Sequence, residues 1–187
     1  MSRWEPNARG RLEEAALELY TERGFDETTV AEIAERAGLT ERTFFRHFTD
    51  KREVLFGGQD VLLQLFVDNI LAAPEAVSPL DAVGAALAAA GPFFENRHTH
   101  ARRRQAVIAA NPRLQERELI KLASISVAIA DALRRRGVSD STSTLAAEAG
   151  VAVFKVAFDR WVHKGRRDQL PQFIGDAMDE LRAVSSS

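Results

Sequence analysis

The side chains best suited to bind a partner fall within one short segment, residues 28–51. Near its end Phe44 and Phe48 lie four residues apart and, with Leu39, are predicted to face the core of a helical domain. The side chains turned to other faces of this helix are Arg42, Thr43, Arg46 and His47. An arginine in the first turn of such a helix can donate two hydrogen bonds to guanine in the major groove. The pattern indicates recognition of double-stranded DNA.

Two short helices joined by a glycine turn are predicted to position these side chains. Thr29 is a good N-cap for the first helix and Thr40 for the second, which is predicted to run from Glu41 to Phe48. Between them Gly38 permits the left-handed backbone of a helix-turn-helix. Helix starts favour anions because their first N–H groups lack partners. The candidate phosphate ligands are Thr29, Thr40, His47 and Lys51.

The same segment closely resembles the DNA-binding signature of the TetR family. The resemblance covers about Arg9 to Leu55 and includes the glycine turn, the threonine cap, the aromatic pair and the lysine. It implies that a row of four residues faces the bases: Glu41, Arg42, Thr43 and Phe45. It also implies that the four candidate phosphate ligands, Thr29, Thr40, His47 and Lys51, contact the DNA backbone. Phe45 stands where the family usually has tyrosine, so it lacks the hydroxyl and is a candidate for contact with a thymine methyl group.

Charge gives no separate sign of a nucleic-acid partner. The 187-residue chain has a formal net charge of -2, and residues 1–56 hold more acidic than basic side chains. DNA contact must therefore come from a local patch, and non-specific binding is predicted to be weak. Glu41 in the base-facing row either accepts from cytosine or repels phosphate.

Residues for catalysis or metal binding are scarce. The absence of cysteine excludes disulfides, thiolate zinc sites and a cysteine nucleophile. His98 and His100 would point to different faces of a helix without a carboxylate at metal spacing, so neither a metal nor a cofactor is predicted. An enzyme is the second interpretation and a structural helical adaptor the third, and sequence-specific retardation of DNA in a gel would distinguish both from a regulator.

The sequence predicts a cytoplasmic protein without a membrane partner. Residues 1–10 lack the apolar run of a signal peptide, and the alanine-rich stretch over residues 82–90 is too short to span a bilayer.

Helical spacing dominates the chain, and we find no alternating run typical of strands, so an all-α fold of about nine helices is predicted. Residues 1–55 would form a three-helix DNA-binding domain, and residues 56–187 a helical bundle for ligand binding and dimerisation. The first helix is predicted over residues 8–23 and the fourth from Lys51. Later helices are predicted over residues 79–94, 98–110, 112–136, 142–163 and 169–184.

The last two of these helices carry more apolar surface than one neighbour can cover. They are predicted to form a four-helix interface between two copies of the chain, a homodimer. The candidate interface residues are Val153, Phe173, Ile174, Ala177, Met178 and Leu181.

Aromatic side chains on several C-terminal helices predict an apolar pocket between helices, with ordinary core packing as the alternative. The candidate pocket residues are Phe66, Phe93, Phe94, Arg103, Phe154, Phe158 and Trp161. The arginines at 102–104 would attract an anionic group to the entrance of this pocket.

The C-terminal half resembles the regulators related to mycofactocin, some of which sense acyl-CoA-like molecules, and this implies a small-molecule effector of that kind. The family resemblance also implies repression.

Overall fold

The computed structural model describes residues 7–164 and 169–185, in which all regular structure is helical. In chain order the helices are α1 (Ala8–Arg23), α2 (Val30–Arg36), α3 (Glu41–His47), α4 (Gln59–Ala72), α5 (Pro79–Ala88), α6 (Gly91–Phe94), α7 (His98–Ala109), α8 (Pro112–Arg135), α9 (Asp140–Lys164) and α10 (Leu170–Ser185). The predicted all-α fold is confirmed. Within the described residues, nine helices exceed four residues, and α6 is a single turn.

Two predicted helices differ in the structure. The helix predicted to begin at Lys51 begins only at Gln59, as α4. Before it lie a 3-10 turn, Glu53–Phe56, and two glycines that disfavour helix. The helix predicted over residues 79–94 is interrupted before α6, which has Pro92 in its first turn. A proline at that position cannot donate to the preceding turn, so the longer helix cannot continue through it.

The chain forms two compact units. The first contains the described residues up to Gly57 together with Arg103–Glu118, and the second contains Gly58–Arg102 and the described residues from Leu119 onward. The predicted boundary after residue 55 lies near the break at Gly57 and Gly58. The sequence pattern did not reveal that the end of α7 and the start of α8 belong to the first unit.

The core of the first unit combines α1, the two short helices and the segment from residues 103 to 118. Its fully buried side chains include Leu12 and Leu19 of α1, Ile33 of α2 and Phe44 of α3. The later segment adds three buried side chains to the same cluster: Val107, Ile108 and Leu114.

The core of the second unit is built mainly by α4, α5, α8, α9 and α10. Phe66 and Ile70 of α4 and Leu133 of α8 are fully buried there, as is Ala157 of α9. The stretch Glu53–Ala72 has the length and apolar composition of a membrane span, which is weak evidence because core helices pass the same test. In the fold this stretch is a 3-10 turn, two glycines and α4.

Candidate DNA-binding interface

The two short helices begin at the threonines predicted to cap them. Thr29 accepts from the backbone N–H of Glu32, whose carboxylate in turn accepts from the Thr29 N–H, a reciprocal capping box. Thr40 accepts from the N–H of Thr43 at 3.2 Å. Both hydroxyls are exposed and both fix a helix start, so the backbone N–H groups predicted to favour phosphate are oriented by side chains of the motif itself.

The turn between α2 and α3 is held by a residue that sequence reasoning missed. Gly38 adopts φ +66°, which favours glycine. The guanidinium of Arg11, from α1, donates to the carbonyl of Ala37, and a Cβ at residue 38 would lie 2.8 Å from its Nη2 atom. The positive φ therefore requires glycine here, and a larger residue would in addition displace the tip of the Arg11 side chain.

Helix α3 divides into an inner and an outer face, as its aromatic spacing predicted. Phe44 and Phe48 are buried, with ring centroids 5.4 Å apart. Phe45 is 55% exposed, and its ring meets the buried Phe44 ring edge-on with the centroids 5.4 Å apart. This contact helps to fix the orientation of the Phe45 ring. Three other residues of α3 that are predicted to contact DNA are also exposed: Glu41, Arg42 and Arg46.

The described arginines of this unit include some that are paired with carboxylates and two, on α3, that have no partner among the described residues. Ion pairs at the surface hold Arg9, Arg23, Arg36, Arg52 and Arg103 to carboxylates of the same unit. Arg36, for example, hydrogen bonds Glu22 and thereby holds the pKa of that carboxyl below its usual range. In the part of the chain that the structure describes, Arg42 and Arg46 have neither a hydrogen bond nor an ion pair. Several carboxylates of this unit are therefore occupied by other arginines, and α3 presents two cations that have no partner among the described residues.

His47 and Thr43 lie at the edge of this face and are half-buried. The Nε2 atom of His47 is buried and has no hydrogen-bond partner among the described residues. An unpaired buried polar atom costs free energy, and a partner that reaches it would recover that cost. The phosphate contact predicted for His47 would require its ring to turn so that this atom becomes accessible.

Lys51 is engaged inside the protein. Its ammonium donates to the carbonyls of Phe25 and Thr28 at 2.8 Å and of Asp26 at 3.3 Å, and it lies 4.4 Å from the centre of the Phe25 ring. The carbonyl of Lys51 accepts from the buried Tyr20 hydroxyl at 2.6 Å. A phosphate contact would require the ammonium to give up some of these carbonyls, because it has three donor hydrogens.

We expect Lys51→Met to destabilise the first unit by about 1–2 kcal/mol, since it leaves part-buried carbonyls without a charged donor while keeping the length of the side chain. Arg46→Met removes a cation of the same region that bonds nothing among the described residues, and is the matched control. Urea unfolding measures both. Equal stabilities would show that the carbonyl contacts of Lys51 contribute nothing.

Six of the predicted pocket residues come together in the second unit as an aromatic cluster: Phe66, Phe93, Phe94, Phe154, Phe158 and Trp161. Ring centroids in it are 4.9 to 6.3 Å apart, which is direct contact. Phe66, Phe154 and Trp161 are buried, whereas Phe93, Phe94 and Phe158 are half-buried. His98, which the prediction did not include, packs edge-on against Trp161 at 5.0 Å.

The predicted arginines at 102–104 serve other contacts. Arg103 belongs to the first unit and pairs with Glu14 at 2.9 Å. Arg104 donates to the carbonyl of Leu55 and to Glu118, and burial lowers its pKa. Of the three, Arg102 alone is exposed.

A cleft of about 210 Å³ lies instead between α5 and α10. Its lining includes Gly84 and Ala88 of α5 and Gly175, Met178 and Arg182 of α10, and it contains none of the predicted pocket residues.

The predicted interface residues lie on α9 and α10 but are mostly turned inward. Val153, Ile174, Ala177 and Met178 are buried in the core of their own second unit, where Met178 lies against Gly84. Phe173 and Leu181 are half-buried. The outward face of α9 has a row of apolar residues at helical spacing: Leu145, Ala149, Ala152 and Val156.

Sequence profiles of two families match the chain. The profile described as bacterial regulatory proteins of the tetR family matches residues 12–56, and that of the MftR C-terminal domain matches residues 77–186, more than half of the chain. The mycofactocin biosynthesis transcriptional regulator MftR of Mycobacterium tuberculosis is 29% identical over 177 residues, 92% of this chain and 88% of that protein.

Solved structures share the fold. SmeT of Stenotrophomonas maltophilia, in complex with triclosan, has a TM-score of 0.63 at 19% identity, and the match covers 95% of this chain and 90% of that one. FadR of Bacillus subtilis, in complex with stearoyl-CoA, has a TM-score of 0.59 at 15% identity, covering 91% and 95%. Because both family profiles match and the MftR relative aligns over most of the chain, the chain belongs to the TetR family and is a DNA-binding transcriptional regulator, not an enzyme.

Proposed function

We propose that the protein is a cytoplasmic repressor that binds a palindromic operator as a homodimer and is released by a small apolar or amphipathic ligand. The observation that carries the DNA contact is the pair of unpaired arginines, Arg42 and Arg46, on the exposed face of α3. Free cations at a major-groove helix serve both base readout and phosphate contact. SmeT, whose solved structure shares this fold, is described as a repressor.

The experiment is a fluorescence-anisotropy titration with DNA from upstream of the protein's own gene, alongside a shuffled duplex of the same composition. Specific binding that weakens steeply with salt supports the proposal, because phosphate contacts release counterions. Equal affinity for both duplexes would contradict sequence-specific regulation. Reporter transcription with and without the protein then separates repression from activation.

The outward row on α9 supports the homodimer. Leu145 and Val156 are large apolar side chains exposed in the single chain, and the alanines between them let a second helix approach closely. Two-fold pairing through this face would give two recognition helices for the two halves of a palindrome. Met178 is unsuitable as a test position, because a charge there would disrupt the core of its own protomer.

We expect Val156→Glu to convert the dimer to monomers, since the substitution would bury a carboxylate within an apolar interface, without a partner of opposite charge. Val61→Glu is the matched control, because Val61 is similarly exposed, at 61% against 44% for Val156, but lies on α4. Sedimentation velocity measures both. A dimer unchanged by Val156→Glu would place the interface elsewhere.

The aromatic cluster supports a ligand site in the second unit. Its three half-buried rings border a buried base formed by Phe66, Phe154 and Trp161, so they can turn aside for an apolar molecule without opening the whole core. FadR was solved with stearoyl-CoA and SmeT with triclosan, which favours an apolar or acyl-CoA-like ligand here. Such a ligand would release DNA if it binds the conformation that does not fit the operator more tightly than the conformation that does.

We expect stearoyl-CoA or triclosan to release the operator, and Phe158→Ala to weaken that release about tenfold, corresponding to ~1.4 kcal/mol of lost apolar contact. Operator affinity without ligand should stay at the parental value. Leu80→Ala, a half-buried side chain of the same core outside the cluster, is the control. Release by neither compound, or equal effects of the two substitutions, would remove the support for this site.

A further inference from the structure

The loop between α1 and α2 leads directly into the first helix of the motif. It runs from Gly24 to Thr28 and is followed by Thr29, the N-cap of α2. The Lys51 ammonium holds the loop on one side by donating to three backbone carbonyls of the loop. Its last residue, Thr28, is buried and donates from its hydroxyl to the carbonyl of Gly24. The position of this loop therefore sets where α2 begins.

A second tether reaches the loop from a distant part of the sequence. Asn111, between α7 and α8, is 9% exposed, and its Nδ2 atom donates to the Asp26 carboxylate at 3.0 Å. Its Oδ1 atom accepts from the backbone N–H groups of Arg113 at 3.0 Å and Leu114 at 3.4 Å, which caps α8. One side chain thus joins the start of α8 to the loop that precedes α2.

Two features make this tether firm. Leu114, in the turn that Asn111 caps, is fully buried in the core of the first unit, so the amide is fixed from its own side. The neighbouring Arg113 also approaches Asp26, at 4.0 Å, but both side chains are largely exposed and such pairs contribute little. The amide of Asn111 is the contact with defined geometry.

We propose that Asn111 is a positioning residue for DNA binding, which fixes the start of α2, and with it the helix pair, through Asp26. The inference rests on the proposed operator binding through α3. Asn111 lies within residues 77–186, which match the C-terminal family profile, and outside residues 12–56, which match the DNA-binding one. The DNA-binding geometry then depends on a side chain that the motif does not contain.

Asn111→Asp separates the two roles of the side chain. It keeps an oxygen that caps α8, but it removes the donor and sets a carboxylate against that of Asp26. Adding Asp26→Asn reverses the original arrangement, since the amide introduced at position 26 can donate to the carboxylate introduced at position 111. Asn111→Ser keeps a capping oxygen without a like charge, and serves if the aspartate variant does not fold.

The measurement is operator affinity by fluorescence anisotropy, below the melting temperature of every variant. We expect Asn111→Asp to weaken binding about tenfold, Asn111→Ser about threefold, and the double substitution to recover to within about twofold of the parent. Val107→Ala, which truncates another buried side chain of the same unit but leaves the Asn111 amide intact, should lower the melting temperature while leaving the affinity near that of the parent. Parental affinity for Asn111→Asp, or no recovery in the double variant, would overturn the assignment.

Amide hydrogen exchange over residues 26–34 provides a readout independent of DNA. We expect faster exchange there in Asn111→Asp and recovery in the double variant. If the parent binds no operator, the proposed function fails, while exchange still decides whether Asn111 positions α2. Exchange unchanged by Asn111→Asp would refute the tether even if DNA binding by the parent is confirmed.

Discussion

Leu114→Ala is expected to destabilise the first unit by about 2–5 kcal/mol, the range for truncating a fully buried leucine. The side chain is 0% exposed and belongs to the core that contains Phe44 and Val54, although it lies far beyond the motif in sequence. The loss combines the apolar surface returned to water with the cavity left behind. At this size it approaches the whole stability of a small domain, so operator binding should fall in parallel.

The matched control is Leu119→Ala, on the same helix, because Leu119 is 58% exposed. That change should shift stability by no more than about 0.5 kcal/mol. Hydrogen exchange of α1 amides along a urea series assigns the loss to the first unit. Equal stability of the two variants would mean that residues 103–118 do not contribute to this core.

Arg42→Ala is expected to weaken operator binding by about 1–3 kcal/mol and to relax the preference at one operator position, as loss of a bidentate guanine contact would. Arg42 is exposed at the first turn of α3 and has no partner among the described residues, so its removal leaves no protein group unpaired. The loss should appear in DNA binding and not in thermal stability.

Arg36→Ala is the comparison, because it removes an arginine of the same helix pair that is already bound to Glu18 and Glu22. Anisotropy titrations over operators with single base-pair changes measure both variants. Arg42→Ala should flatten the response at one position, whereas Arg36→Ala should leave the pattern of preferences intact. A parental affinity for Arg42→Ala would show that α3 does not read the groove in this orientation.

The local structure of the motif could be predicted because its signals are local. Thr29 and Thr40 cap the helices assigned to them, Gly38 takes the positive φ, and Phe44 and Phe48 are buried. Each of these outcomes depends on residues within four positions in sequence. The same pattern could not show that Arg11 reaches the turn, since that contact spans 26 residues.

The partners of apolar and charged faces could not be predicted. Helical periodicity shows that Met178 and Ile174 face a core, but it does not distinguish the core of the protomer from that of a dimer. Six aromatic residues came together as expected, yet Arg103 lies in the other unit and pairs with Glu14. The direction of Lys51 was equally open, because a long cationic side chain can bond carbonyls or remain free for phosphate.

The discontinuous first unit has a consequence for synthesis on the ribosome. When translation has passed Gly57 the whole helix-turn-helix has been made, but its core still lacks Val107, Ile108 and Leu114. At roughly 5–20 residues per second, the remaining segment arrives about 3–12 s later. During that interval the nascent chain exposes the apolar surface that this segment covers in the finished protein. Rare codons between residues 58 and 118 are therefore expected to prolong chaperone contact and lower the yield of active regulator without changing a single residue.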